Sequence, residues 1–94
     1  MPKKYPLLEY DEVVSILKTR GFTLKDQQGS HEQYEGIVND RKKKVTVDKN
    51  DAPYNDFIIK SMISQSGLTR VEFYTATKIT AKKINLKKIK SITE

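Results

Sequence analysis

One histidine occurs among the 94 residues, His31, and it sits in the tripeptide Gly29-Ser30-His31. Imidazole is the side chain whose unperturbed pKa, about 6.5, lets it both take and give a proton near neutrality. The chain around it carries a formal net charge of +6. A lone proton-transfer group on a basic chain suits chemistry on a phosphodiester. Cleaving such a bond needs a base for the attacking hydroxyl, an acid for the leaving oxygen and cations for the charge on phosphorus. The competing reading makes His31 a half-buried packing residue.

The neighbouring residues admit the same two readings. Gly29 would let an RNA backbone approach closely, and its amide with that of Ser30 could bind a phosphate oxygen. Equally, Gly29 is a hairpin turn and Ser30 a turn hydroxyl. Arg41, Lys42, Lys43 and Lys44 form a basic run that is expected to flank His31 and neutralise phosphate, or else a solvated face. Tyr34 and Tyr54 are candidate stacking platforms for unpaired bases, or core residues. A second basic cluster runs from Lys78 to Lys90 with no acidic residue inside it. Such clustering points to a polyanionic partner.

Composition narrows the classes. With no cysteine there is no disulfide framework, thiolate nucleophile or Cys-based metal site. One histidine leaves a transition metal only carboxylates to bind, so neither metal nor cofactor is expected. No stretch of about 18 apolar residues exists to span a bilayer. Met1-Pro2-Lys3-Lys4-Tyr5 has charge but no apolar run behind it, so a secretory signal is not expected and a cytoplasmic protein is. The length suits a single domain over 1–94, with a core at about 8–77 and a basic extension at 78–94.

Several elements are expected to position these groups. Glu9 to Arg20 reads as a helix with Val13, Val14 and Leu17 inward, acids in its first turn, bases in its last and Gly21 as its stop. Phe22-Thr23-Leu24 reads as a short strand, Gln27-Gln28-Gly29 as a turn and Ser30 to Ile37 as a second strand. Period-two alternation puts His31, Gln33 and Glu35 on one face and Glu32, Tyr34 and Gly36 on the other. After a turn at Asn39-Asp40, Lys43 to Val47 forms a third strand with Val45 and Val47 inward. Short connections make the three an antiparallel meander. Pro53 is expected to open a helix that reaches Ser66 and ends at Gly67, with Ile58 or Ile59, Met62 and Ile63 on its apolar stripe. Thr69 and Glu72 form a capping box, stapled by Leu68 and Phe73, for a helix to about Thr77. Ile79, Ile84, Leu86, Ile89 and Ile92 beyond it fit neither period. The expected fold class is α+β, of order α-β-β-β-α plus a C-terminal helix, the three-stranded sheet being covered by helices on one face.

That order, combined with Gly21-Phe22, Gly29-Ser30-His31, Val45-Thr46-Val47 and Ser66-Gly67-Leu68, resembles the HicA family over about Tyr10 to Phe73. These are toxins of bacterial and archaeal toxin–antitoxin pairs with a fold like the double-stranded-RNA-binding domain. The resemblance implies a ribonuclease that degrades mRNA without a metal, His31 as its catalytic residue, and a HicB-type antitoxin that covers the active site. The chain departs from the usual family pattern in two places. Asp26-Gln27-Gln28 stands where basic residues usually precede Gly-Ser-His, and Asp48-Lys49-Asn50 where a Pro and a His often follow the third strand. The function expected is therefore a toxin ribonuclease with His31 as general acid or base. Its rivals are a non-catalytic RNA-binding module of the same fold and a structural protein that docks by its lysine-rich end.

Overall fold

The structure, a computed structural model, describes residues 5–83. In chain order it runs α1 (Tyr10–Thr19), β1 (Thr23–Gln28), β2 (His31–Val38), β3 (Arg41–Asp48), a 3-10 turn (Lys49–Asp51), α2 (Asp56–Ser66), α3 (Arg70–Tyr74) and α4 (Lys78–Ala81). The strands pair antiparallel in the order β1-β2-β3, and the expected α+β arrangement is what forms.

In α1 the Glu9 N–H donates to the Glu12 carboxylate at 2.7 Å, satisfying one of the donors a helix start leaves open. Asp11 and Glu12 lie in the first turn and Lys18 in the last, each at the favourable end of the helix dipole. Val13, Ile16 and Leu17 are buried while Val14 is only half-buried, so Ile16 takes the inward place expected of Val14. The chain leaves the helix at Gly21, at φ +91°.

Both hairpins turn in two residues. Gln28 pairs with His31, so Gln27 and Gln28 belong to β1, and the turn is Gly29-Ser30 rather than Gln27-Gln28-Gly29. Two-residue turns whose twist matches the strands need a positive φ, and Gly29 supplies it at +60°. The second turn, Asn39-Asp40, has φ +53° and +65°, the left-handed pair of a type I′ turn. β1 is an exposed edge strand with an irregular register between Leu24 and Asp26, and it runs longer than the three residues expected. Phe22, just before it, is buried. A Cβ on Gly36 would stand 2.9 Å from the Phe22 ring, so glycine there lets the aromatic lie against the sheet.

Alternation along β2 and β3 divides the sheet into two faces. Glu32, Tyr34, Val45 and Val47 are buried on the helix side. The core adds Val13, Ile16 and Leu17 from α1, Ile59 and Met62 from α2, and Phe73 and Tyr74 from α3. Truncating one such residue, as in Leu17→Ala, costs about 2–5 kcal/mol. Tyr34 and Tyr54 are both in this core, at 2% and 0% exposure. They cannot serve as stacking platforms without unfolding it.

Pro53 does not open α2. Leu8 and Tyr54 form an isolated antiparallel bridge with N–H···O distances of 2.8 and 3.3 Å, which keeps the chain extended through Tyr54. Asn55 is the cap instead, its side chain accepting the Ile58 N–H at 3.0 Å. The helix ends at Gly67 as expected, at φ +76°. The Thr69–Glu72 capping box forms. Its helix stops at Tyr74, and Thr77 caps the separate turn α4 by accepting the Thr80 N–H at 3.1 Å. The expected C-terminal helix is therefore α3, which ends at Tyr74 rather than about Thr77; α4 adds one turn from Lys78, where the sequence fits neither period, and the readings made for Ile84 to Ile92 lie outside the described residues. No helix among the described residues is long and apolar enough to cross a membrane.

Candidate functional site at the end of the central hairpin

The two-residue turn dictates which side chains meet. Val38 stands opposite Arg41, and counting outward along the ladder brings His31 opposite Asp48. The imidazole Nε2 lies 3.1 Å from Asp48 Oδ2, with the His31 side chain 62% exposed and that of Asp48 19% exposed. His31 is thus at the surface, contrary to the packing reading.

Asp48 is held from several directions. Its carboxylate accepts the Ser30 hydroxyl and the Asn50 N–H at 2.9 Å. Its carbonyl accepts the Tyr54 hydroxyl at 2.9 Å. The Asn50 side-chain amide donates to Ser30 Oγ at 3.1 Å, and the Lys49 N–H donates to the Ser30 carbonyl at 3.0 Å. The Ser30 hydroxyl first, then the Asn50 amide and, less strongly, His31 hold the Asp48 carboxyl below its ordinary range against the opposing effect of burial. An ionised carboxylate only accepts, so Nε2, the nitrogen that faces it, is the one suited to carry a proton. That leaves Nδ1 as the free lone pair, with no protein partner among the described residues.

Directly beneath, on the helix side, Glu32 is 3% exposed. It accepts the Tyr10 hydroxyl at 2.6 Å and the Tyr34 hydroxyl at 2.9 Å. Lys49 Nζ lies 3.6 Å away and 5.3 Å from the centre of the Tyr10 ring. Burial alone would raise the Glu32 carboxyl, but the two hydroxyls and Lys49 outweigh it and hold the group below its usual range. Burial and Glu32 push the Tyr34 hydroxyl far upward, so it stays a donor.

The other expected site residues are not all brought together. Gly29 and Ser30 adjoin His31, and nothing lies within 4 Å of where a Cβ on Gly29 would stand, so that turn is open to a ligand. The basic run does not flank His31. Lys44 is four residues from Asp48 along β3 and Arg41 is seven, separations of roughly 14 and 24 Å at the rise of a strand. Alternation also splits the run between faces. Lys42 and Lys44 reach Glu35 at 3.7 and 4.0 Å on the open face. The stem of Lys43 lies over Gly67 on the other side. Lys44 shares with His31 a depression of about 360 Å³ that also has Asp26, Gln28 and Gln33 in its lining. A second cavity of about 250 Å³ has His31 and Asp48 on one wall and Phe57, Ser61 and Gln65 of α2 on the other.

Asp48 and Asn50 are functional candidates that the sequence reading passed over as departures from a pattern. The signal for Asp48 was present in the two-residue turn, which sets every cross-strand partner. For Phe57 there was none, because it falls outside the apolar stripe of α2.

Comparison with curated proteins and with solved structures returns no match. The family profile described as HicA toxin of bacterial toxin–antitoxin systems matches residues 10–68, more than half of the chain, and spans α1 through the end of α2 with the whole sheet and the His31–Asp48 pair. On that match the chain belongs to the HicA family of toxins.

Proposed function

We propose that this toxin is a metal-independent ribonuclease that cleaves mRNA, with His31 as its general acid–base group. The observation that carries the reading is the His31–Asp48 pair, an exposed imidazole held by a carboxylate at 3.1 Å with its second nitrogen free. Nδ1 takes the proton of a 2′-hydroxyl, and that oxygen attacks the adjacent phosphorus. The bond from phosphorus to the 5′-oxygen breaks, and the leaving oxygen takes a proton from water. Asp48 keeps the ring in place and balances the positive charge it gains. Gly29 and Ser30 admit the phosphate, and Lys44, with Arg41, Lys42 and Lys43 further along, draws the polyanion in.

A HicB-type antitoxin would silence the enzyme by covering His31 and the cationic surface on the same sheet face. Acidic groups on it would give fast and specific capture. Cleavage of a labelled single-stranded RNA in excess EDTA tests the activity, with His31→Ala beside the wild type. The wild type should cut and the variant should not. Loss of cutting on chelation, or cutting by the variant at a rate near the wild type's, sinks the mechanism. Co-expression with the adjacent reading frame should rescue growth and yield a complex in which His31 no longer reacts with diethyl pyrocarbonate.

One observation favours the rival of a non-catalytic RNA-binding module. Most of the basic run stands far along the hairpin from His31. On that reading both proteins bind RNA and neither cuts it.

A further inference from the structure

His31 stands between two depressions that differ in their linings. The one on the open sheet face includes Lys44. The one toward α2 has no lysine or arginine in its lining and has the carboxylates of Asp48 and Asp51. The second repels a phosphate, whereas in the first Lys44, with Asp26 in the same lining, offers one ammonium to it. The second also contains an aromatic ring that folding leaves uncovered: Phe57 is 78% exposed on the first turn of α2. At about 250 Å³ the cavity falls short of the roughly 300–1,000 Å³ of pockets that enclose a drug-sized ligand. One planar, uncharged ring fits such a volume.

Gln65 adds a polar edge. Its Oε1 accepts the Thr46 N–H at 3.0 Å, closing a donor on the outer edge of β3. A backbone N–H must face the oxygen of the amide, so the side chain's orientation is settled and its NH₂ remains as a donor. Ser61, one turn earlier on the same helix, contributes a hydroxyl to the same wall.

We infer that the cavity between His31 and α2 is a subsite for one unpaired RNA base, stacked on Phe57 and read at its edge by Gln65. The inference rests on the proposal that the substrate is RNA cut at His31. A base seated there, with its backbone passing over His31 toward Lys44, puts the neutral part of a nucleotide in the cation-free cavity and its phosphate toward the Lys44 ammonium. Phe57 and Gln65 are then specificity residues, and His31 remains the catalytic one.

The test uses the full chain and a short single-stranded RNA carrying 2-aminopurine, whose fluorescence falls when it stacks. Bound uncut to His31→Ala, the RNA should be quenched, and in His31→Ala/Phe57→Ala the quench should disappear. In cleavage assays Phe57→Ala should raise KM roughly 10-fold, in the range of one lost base–aromatic stack, and Phe57→Trp should restore it. Because Phe57 is exposed, its truncation leaves the core as it is, which circular dichroism checks. Gln65→Glu keeps an oxygen for Thr46 but removes the donor, so the preferred base at the quenched position should change. A quench and a KM that ignore Phe57 overturn the subsite while leaving the ribonuclease standing. A wild type that never cuts RNA overturns the ribonuclease, while the quench still reports on the subsite. Should Phe57→Ala spare RNA and weaken only the antitoxin complex, the cavity is a protein-docking face and the inference is wrong.

Discussion

The two ends of the β2–β3 hairpin differ in how their polar groups are held. At one end Asp48, Ser30, Asn50 and Tyr54 are joined by hydrogen bonds of about 2.9–3.1 Å, His31 faces the Asp48 carboxylate at 3.1 Å, and a buried Glu32 with its two tyrosines lies beneath. At the other, Arg41 and Lys42 stand exposed beside a turn, and Lys42 has only a long contact to Glu35 at 3.7 Å. Surface pairs of that kind contribute about 0–1 kcal/mol. A mobile cation attracts a polyanion from a distance but cannot set the angle of a proton transfer. Position is built at the end where backbone and side chains are bonded together, and attraction at the end where they are not.

The largest effect should come from the ordered end. His31→Ala should lower cleavage about 10²–10⁴-fold, the usual worth of one general acid–base group. Affinity for RNA should barely change, since the imidazole supplies no fixed charge that the basic run lacks. Single-turnover cleavage and equilibrium binding, measured on the same RNA, separate the two. Comparable losses in both would mean that the ordered end is a binding surface and not a reacting one.

Next comes the floor beneath it. Tyr10→Phe removes a 2.6 Å hydrogen bond to the buried Glu32 carboxylate and should cost about 1.5–3 kcal/mol, as for bonds to charged groups. Glu32 and Asp48 both titrate lower in the fold than in the open chain. Their contribution is therefore present at neutral pH and is lost as pH falls through those lowered values. Chemical denaturation across the acid range should show stability falling in that window. It should also show the gap between wild type and Tyr10→Phe narrowing there, because a neutral Glu32 no longer needs a charge-assisted bond. A gap that stays constant on acidification would mean the hydroxyl acts through packing. At the alkaline side, burial pushes the Tyr54 hydroxyl up to about 12 from 10.0, so its contribution holds below about pH 10 and fades as pH rises toward 12.

Much of this division was legible in the residues and part of it was not. Alternation placed His31 on one face and Glu32 and Tyr34 on the other, and Val45 and Val47 inward, because a two-residue period leaves no freedom once one face is buried. The Thr69–Glu72 box and the Gly67 stop were legible because they are local chemistry. Pro53 misled because its fixed backbone suits a helix start equally well as the extended bridge that Leu8 imposes. The basic run misled for a different reason. Its four residues are neighbours in the chain, but a strand separates neighbours by face and carries them away from the turn, so charge density in sequence did not become charge density around His31. Asp48 ended the apolar alternation of β3 and was therefore left outside the strand. Its role appears only across the ladder.

A smaller effect should come from the carboxylate that orients His31. Asp48→Asn keeps the size and the hydrogen bonds to the backbone but removes the charge facing the imidazole. As an exposed pair it should cost cleavage about 3- to 10-fold. The loss should fall on kcat with KM unchanged, and Asp48→Glu should recover part of it. A loss confined to KM would make Asp48 a binding residue. A fall in thermal stability matching the loss of activity would make it a purely structural one.

The smallest effect should come from the exposed end, and it is also the one that decides whether attraction and chemistry are separate. If Lys42 and Lys44 each meet a phosphate, replacing both with Gln should flatten the dependence of log K on log salt by roughly 1.4, at about 0.7 per contact for single strands. Cleavage at saturating RNA should stay near the wild-type rate, because neither ammonium is positioned by more than a long contact to Glu35. Lys44 is the sharper of the two, since it lines a depression with His31. Should Lys44→Gln lower kcat while Lys42→Gln changes only the salt slope, the boundary between the two ends falls between those residues, and Lys44 belongs with His31 in holding the charge that builds on phosphorus. An unchanged slope in the double variant would return the whole run to a solvated face.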